Sequence, residues 1–501
     1  MRRALPGVAI AVLIGGSTTI AFFAGGFFDR PRLVATAAAW ALVILAALFA
    51  TRPLPASVPG WMALGGLALL CAWTALSILW APIAGRAEDD LQRLLLYTGT
   101  FIAGLAFLRD TGVRSWVEPA LALGVLAMTL YGLSERVLPG LIELERSRTG
   151  SGRLEQPVTY WNAFGILAVL GLILVMRIAG DPRRRARLQA AAAAAGVPLG
   201  LGAYLSFSRG ALAALGVGVL FLVALAPALR RQLWAIVTVI ATSGVAGALA
   251  SGLSGVKSLS PGQRGDSTAG LLMLLALGLL AAGAAAFTLR RPRTELPALR
   301  LPASRSAVVL AVSAIALVGG LLAVALLEGT PRNTSPTPGA DPARLTSIDS
   351  NRYQYWKVAA RELGEHTVTG VGSGGFAVEW AKERDRVDAA TDAHSLYVET
   401  AAELGLVGLL LLVVFVAGVT AATVKLWRRD GEAAAGPAAA LAAWALHAGL
   451  DWDWEMPAVT LPALILAASI VAWSECPNRT RHGAPGRREP APGGGARSES
   501  S

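Results

Sequence analysis

Long apolar runs alternate with short polar or basic breaks along almost the whole chain. Stretches such as 210–228 and 306–327 carry no charged residue over the roughly 20 residues that a helix needs to cross a bilayer. Lipid offers no partner to backbone N–H and C=O groups, so such runs must be helical. The pattern predicts membrane helices near 7–28, 33–50, 61–81, 91–108, 116–138, 158–179, 188–205, 210–228, 232–252, 267–289, 306–327, 395–425, 433–450 and 457–473. The 188–205 segment rests on a mildly hydrophobic alanine run, Ala190 to Ala195. The predicted fold class is all-α: a polytopic membrane helical bundle of about 12–14 transmembrane helices with one large extracytoplasmic loop of short amphipathic helices.

That loop, 328–394, interrupts the pattern. It opens on a Pro/Thr/Gly linker, whose composition favours an extended chain. Next comes DSNRYQYWKVAARELGEH, where Tyr353, Trp356, Ala360 and Leu363 recur at helical spacing. A second short helix, 376–386, puts Phe376 and Trp380 on one face, and both helices read as amphipathic elements lying over the membrane domain. The chain thus divides into N-terminal membrane helices (1–327), the loop (328–394), C-terminal membrane helices (395–475) and a Gly/Pro/Arg-rich tail (476–501) whose composition predicts disorder. The charged start, Met1 to Arg3, resembles a signal sequence but reads as the beginning of the first membrane helix, because no small-residue cleavage site precedes a soluble domain.

Composition agrees with this class: 54 % of the 501 residues are hydrophobic and only 15 % charged, where a soluble chain carries about 25 %. The net charge of +11 would invite a nucleic-acid reading, but its distribution removes that. Arg2, Arg3, Arg52, Arg109, Arg114, Arg183 to Arg185, Arg187, Arg230, Arg231, Arg290, Arg291, Arg293, Lys425, Arg428 and Arg429 all fall in alternate breaks. They act as topology determinants beside anionic lipid, placing both termini in the cytoplasm and the large loop outside. The two cysteines, Cys71 and Cys476, lie in or beside apolar segments and suggest neither a disulfide framework nor a metal cage.

Polar residues at membrane depth or its outer edge are expensive, and so mark where chemistry could sit. Four groups stand out. In SFSRG, Arg209 opens a membrane helix, where free N–H groups and a planar guanidinium suit phosphate; the alternative is an interfacial arginine reaching the headgroups. In GRLEQPVTYWNAF, Arg153 and Asn162 flank another helix start, with Tyr160 and Trp161 as aromatic-belt residues. In TDAHSLYVETAAELG, Asp392 as N-cap would put His394 in the first turn of a long helix. The positive dipole end there disfavours imidazolium and suits a general base; a locally bonded interfacial histidine is the alternative. In HAGLDWDWEMP, His447 and Asp451 stand four apart, as an oriented carboxylate–histidine pair, a sparse metal site or a structural polar pair. GVGSGGF, 370–376, has no preceding strand and reads as a turn between the loop helices, not a nucleotide loop.

In their order along the chain, GRLEQPVTYWNAF, SFSRG, the long loop ending in GVGSGGF and AHSLYVETAAELGLVG resemble the O-antigen ligase family, which includes O-antigen polymerases and protein O-oligosaccharyltransferases. The last motif is the most specific, with His394 followed by Glu403, Gly405 and Gly408. The resemblance implies a glycosyltransferase of the bacterial inner membrane that needs no cofactor and no metal. Its donor would be a glycan on a polyprenyl diphosphate, and its acceptor a hydroxyl on a lipid, glycan or protein. Carried onto this chain, His394 would deprotonate or orient the acceptor, and Arg209 with Arg153 would hold the diphosphate. Arg352, Asn162, His447 and Asp451 are further candidates for substrate contact. Competing functions are a polysaccharide polymerase of the same family, a membrane transporter and a non-catalytic scaffold for envelope assembly. Transporters place polar or broken elements at the bilayer midplane, whereas here the charges gather at one edge.

Overall fold

A computed structural model describes residues 5–110, 112–291, 339–341, 352–384 and 390–476. The predicted span 306–327, most of the linker and the tail from 477 lie outside the described residues; among the described residues no strand occurs. The helices are α1 (Leu5–Thr19), α2 (Asp29–Phe49), α3 (Val58–Ser77), α4 (Ala84–Phe107), α5 (Val117–Val137), α6 (Trp161–Gly180), α7 (Ala186–Leu205), α8 (Arg209–Leu225), α9 (Leu229–Ser251), the single turn α10 (Ser254–Lys257) and α11 (Ser267–Arg290). After the loop's α12 (Arg352–Glu365) and α13 (Phe376–Glu383) come α14 (Leu396–Arg429), α15 (Gly431–Ala448) and α16 (Pro457–Ser474). Among the described residues nine helices, α2, α3, α5, α6, α7, α9, α11, α14 and α16, are long and apolar enough to cross a membrane. Two shorter apolar helices, Gly7–Phe22 and Arg209–Leu225, join them in the bundle. The protein is a polytopic helical membrane protein.

Two helices form the centre. The membrane windows of α6 and α16 are buried throughout, as expected for helices that are apolar on every side. Around α6 pack α5, α7, α8, α9 and α15, while α16 packs against α4, α14, α15 and α1. Where α3 crosses α14 the backbones nearly touch. A Cβ added at Gly418 would stand 2.4 Å from the Ala63 nitrogen, and one at Gly66 would stand 2.5 Å from that of Phe415. Close approach through small residues is how helices gain packing contacts in lipid, where no hydrophobic drive brings them together.

Several predicted elements shift. The first span ends at Thr19 and continues as two 3₁₀ turns to Gly26, because the chain bends over the start of α16. A Cβ at Gly25 would meet the Met456 methyl at 2.4 Å, and one at Gly26 the Pro457 side chain at 3.1 Å. The loop helix α12 buries a different face from the one expected. Tyr355, Val358, Ala359 and Glu362 are buried, while Tyr353, Trp356 and Leu363 are half-buried and Ala360 is exposed. The reason is its partner: α12 packs into an aromatic cluster with Phe376, Trp380, Ala393 and Ala402 rather than resting on lipid.

The end of the bundle away from the loop is tied by ion pairs. Arg177 pairs with Glu432 and, at 3.3 Å, with Asp181; Arg184 meets Glu118 at 2.9 Å; Arg114 and Arg183 reach Asp430 at 2.9 and 3.0 Å. Since α3 and α14 meet backbone to backbone, Gly418→Val should lower the thermal stability of the detergent-solubilised protein by about 1–3 kcal/mol or more. Unfolding followed by fluorescence-detected gel filtration checks this, and a variant that melts with the wild type would mean that the two helices separate freely.

Candidate active site

The loop is joined to the bundle where α14 breaks. Gly405 inside α14 has φ 65° and ψ −167°, a conformation open essentially to glycine alone. The break frees backbone groups on both sides, and the segment between α12 and α13 takes them. Leu406 donates to the Thr367 carbonyl at 2.9 Å and Val407 to that of Val368 at 3.4 Å. In return Val371 donates to the Ala402 carbonyl at 3.1 Å and Gly372 to that of Glu403 at 2.8 Å. The Glu403 carboxylate accepts from Gly374 and Phe376 at 2.9 and 3.1 Å. GVGSGGF is therefore the turn it was read to be, wrapped around a helix break.

His394 lies just before α14, not in its first turn. The N-cap is Ser395, whose hydroxyl faces the Val398 amide, and not Asp392. His394 has φ +54°, and its Nδ1 lies 3.0 Å from the Asp392 carbonyl. A carbonyl can only accept, so this bond assigns a proton to Nδ1, and in the neutral ring Nε2 is then the nitrogen with the lone pair. One face of the ring stacks on Tyr355 (5.1 Å between centroids, 28° between planes), and Trp452 lies 6.2 Å away. The loop's aromatic cluster thus orients this imidazole.

Beside it, Asp451 is buried and gathers four donors from three parts of the chain. Oδ2 accepts from Arg352 of α12 and from Asn162 of α6, each at 2.6 Å. Oδ1 accepts from the Tyr160 hydroxyl at 2.8 Å and the Trp452 amide at 2.9 Å. Burial pushes its carboxyl up, but the Arg352 guanidinium, with His394 and His447, outweighs that and holds it below the ordinary range.

His447 and Asp451 do not pair. The α15 helix ends at Ala448, and the turn through Gly449 carries Asp451 off the histidine's face, so His447 Nδ1 meets Asp453 Oδ2 instead, at 2.7 Å with both side chains about 1 % exposed. Arg209 is half-buried in the first position of α8, behind the N-cap Ser208, whose hydroxyl accepts from the Ala211 amide. Arg153 is buried in the turn before α6. Its Nε and Nη2 donate to the Gly150 and Thr149 carbonyls, and its guanidinium lies 3.5 Å from the Trp161 ring centroid.

His394, Asn162, Arg352 and Asp451 thus meet in one place, with His447 and Arg209 on the adjoining helix ends and Arg153 one turn of chain away. Two participants have no role assigned from the sequence alone. Asp453 follows at the outer edge in HAGLDWDWEMP without a partner of its own, and Tyr160 reads as a belt aromatic until its hydroxyl is placed. A further group is Asp392, Glu399 and Glu455, whose carboxylate oxygens lie within 4.8 Å of one another and could hold a metal ion. Burial pushes Glu455 up to about 8 against the opposing charge of Arg93, so a shared proton can also hold the group together.

Residues 191–413 match the family model described as O-antigen ligase. A search of curated proteins finds no match to the chain. The matched segment runs from α7 into α14 and contains Arg209, Arg352 and His394; Arg153, Asn162, His447 and Asp451 lie outside it. The match supports the resemblance read from the sequence and indicates a membrane glycosyltransferase of O-antigen ligase or polymerase type.

Glu362 gives the loop a pH dependence. It is buried in the α12–α13 packing with neither carboxylate oxygen hydrogen-bonded. Burial, then Glu379, Glu383 and Glu365, push it up to about 7, with Lys382 opposing. A carboxyl raised from 4.5 to about 7 binds its proton more tightly when packed, so the packing is favoured at low pH and loses that support as pH rises from about 4.5 through 7. Hydrogen exchange of residues 352–383, corrected for intrinsic rates, should show more opening at pH 8 than at pH 5.5, and Glu362→Gln should flatten the difference. Equal protection of the wild type at both pH values would remove the effect.

Proposed function

With residues 191–413 matching the O-antigen ligase family, we propose that this protein transfers a glycan from a polyprenyl-diphosphate carrier to an acceptor hydroxyl at the outer face of the bacterial inner membrane. The observation that carries the reading is His394 itself. Its Nδ1 is tied to a backbone carbonyl, its ring is held by Tyr355, and Nε2 keeps the lone pair beside the Asp451 cluster.

The acceptor hydroxyl gives its proton to His394 Nε2 as its oxygen bonds to the anomeric carbon. The bond from that carbon to the diphosphate oxygen breaks, and the electron pair leaves with the polyprenyl diphosphate. Attack from the face opposite the leaving group inverts the anomeric centre. Arg209, at the amide end of α8, receives the growing negative charge. Arg352 is held by Asp451 at the same mouth and can add to this. Arg153 contributes by fixing the turn before α6, since two of its donor nitrogens bind that turn's carbonyls. A polymerase would run the same steps on a growing glycan. In this orientation both termini are cytoplasmic and the loop helices face outward, which the basic clusters at the opposite end support.

Given a polyprenyl-diphosphate-linked oligosaccharide and an envelope extract, the wild type should form a glycosylated product and release lipid diphosphate. His394→Ala should lose roughly 10²–10⁴-fold in turnover while still binding donor, followed by mass spectrometry. Equal turnover would remove His394 as the base. The reaction needs no metal, so chelation should leave the rate unchanged; loss of activity restored by a divalent cation would point instead to Asp392, Glu399 and Glu455.

A further inference from the structure

The His447–Asp453 pair sits against the start of α8, immediately behind Arg209. The imidazole is fully buried, and while Nδ1 is bound to Asp453 at 2.7 Å, Nε2 has no hydrogen-bond partner. The ring lies against Gly210. A Cβ added there would stand 3.1 Å from Cδ2 and 3.2 Å from Nε2, close enough that the ring would have to give by a few tenths of an ångström. Burying an unmet polar nitrogen is costly, and this one lies against Gly210 in the first turn of α8, where the Ser208 cap takes the Ala211 amide. The positive end of the helix dipole and a nitrogen able to carry a second proton together favour an anion. The surrounding charges are Asp453, Asp451, the Arg352 bound to Asp451, and Arg209. A second proton on His447 would thus have a buried counter-ion 2.7 Å away.

Resting on the glycosyl-transfer reading, the geometry points to His447 as a binding residue for the donor's diphosphate. When the anion seats on the first turn of α8, His447 takes up a proton at Nε2, and the resulting N–H donates to a phosphate oxygen. Asp453 balances the new charge. The binding is thereby selective for a dianionic or more highly charged headgroup over a neutral polyprenol.

The sequence has four histidines, His366, His394, His447 and His482, so ¹⁵N-histidine labelling in nanodiscs can read this directly. The probe is a glycan-free polyprenyl diphosphate. Adding it to the wild type should move one imidazole into the imidazolium range. The change should persist in a variant carrying His366→Gln, His394→Gln and His482→Gln, which retains His447 alone. It should vanish in His447→Gln, whose affinity for the diphosphate should fall about 10-fold, with Asp453→Asn weakened in the same sense. Diphosphate binding that depends on Arg209 but leaves the His447 signal unchanged would overturn this inference and spare the proposed function. A wild type that binds no diphosphate would overturn both. The variant retaining His447 alone gives the answer even if His447→Gln does not fold.

Discussion

The site depends on one constraint, that a membrane helix cannot leave its backbone unpaired. When α14 breaks at Gly405, amides and carbonyls on both sides lose their partners in the helix. The chain segment 367–372 supplies replacements by exchanging four backbone hydrogen bonds with residues 402–407, and the Trp73 indole takes the Leu404 carbonyl at 3.0 Å. The break and the loop are therefore one structure. Without the loop the break would be prohibitive in lipid, and without the break the loop would have only side chains to hold it. Gly370 shows how tightly the two are joined: it has φ +67°, and a Cβ there would stand 2.3 Å from the Glu403 carbonyl.

From that joint the positions of the reactive groups follow in sequence. The docked turn fixes where α12 and α13 lie, and their aromatic cluster presents Tyr355 to the ring of His394. Arg352, at the first turn of α12, then reaches Asp451 across to the bundle. Asp451 is buried and would be costly alone, yet with an arginine, an amide side chain, a phenol and its own neighbour's N–H it is fully partnered. Donors from the loop and from α6 converge on this one carboxylate, so the loop's angle over the bundle is set by electrostatics as well as by the backbone exchange. Groups held this way need little reorganisation when charge develops in a reaction.

Much of this was legible in the chain. Thirteen of the predicted spans coincide with helices, because twenty apolar residues in lipid admit only one backbone solution; the other, 306–327, lies outside the described residues. Local helix ends were less legible. Asp392 and Ser395 are both competent N-caps, and nothing local decides between them; the left-handed backbone at His394 does. The face of α12 was misjudged because Tyr353 and Trp356 are as apolar as Tyr355, and the choice belongs to the aromatic partners that the fold brings from α13. A buried glutamate, Glu362, runs against any pattern of hydrophobic and polar positions. His447 stands out in the sequence as a polar residue at membrane depth or its outer edge, and it is buried, but its partner is Asp453 and not Asp451. Spacing of four implies contact only while the helix continues, and the helix ends at Ala448.

The two histidines at this end have contrasting Nδ1 partners, and the roles proposed for them rest on that contrast. His394 is bound through Nδ1 to a neutral carbonyl and has aromatic rings around it; a second proton there would gain no direct counter-ion from that bond. His447 is bound through Nδ1 to a carboxylate, which offsets a second proton directly. The proposed roles follow this difference: His394 would face the acceptor hydroxyl, and His447, beside Asp453, the anion. A glycosyl transfer from a diphosphate needs both at once, a base on the acceptor side and positive charge on the leaving-group side. The two imidazoles are carried by different segments, His394 before α14 and His447 at the end of α15, so each is oriented by its own Nδ1 partner independently of the other.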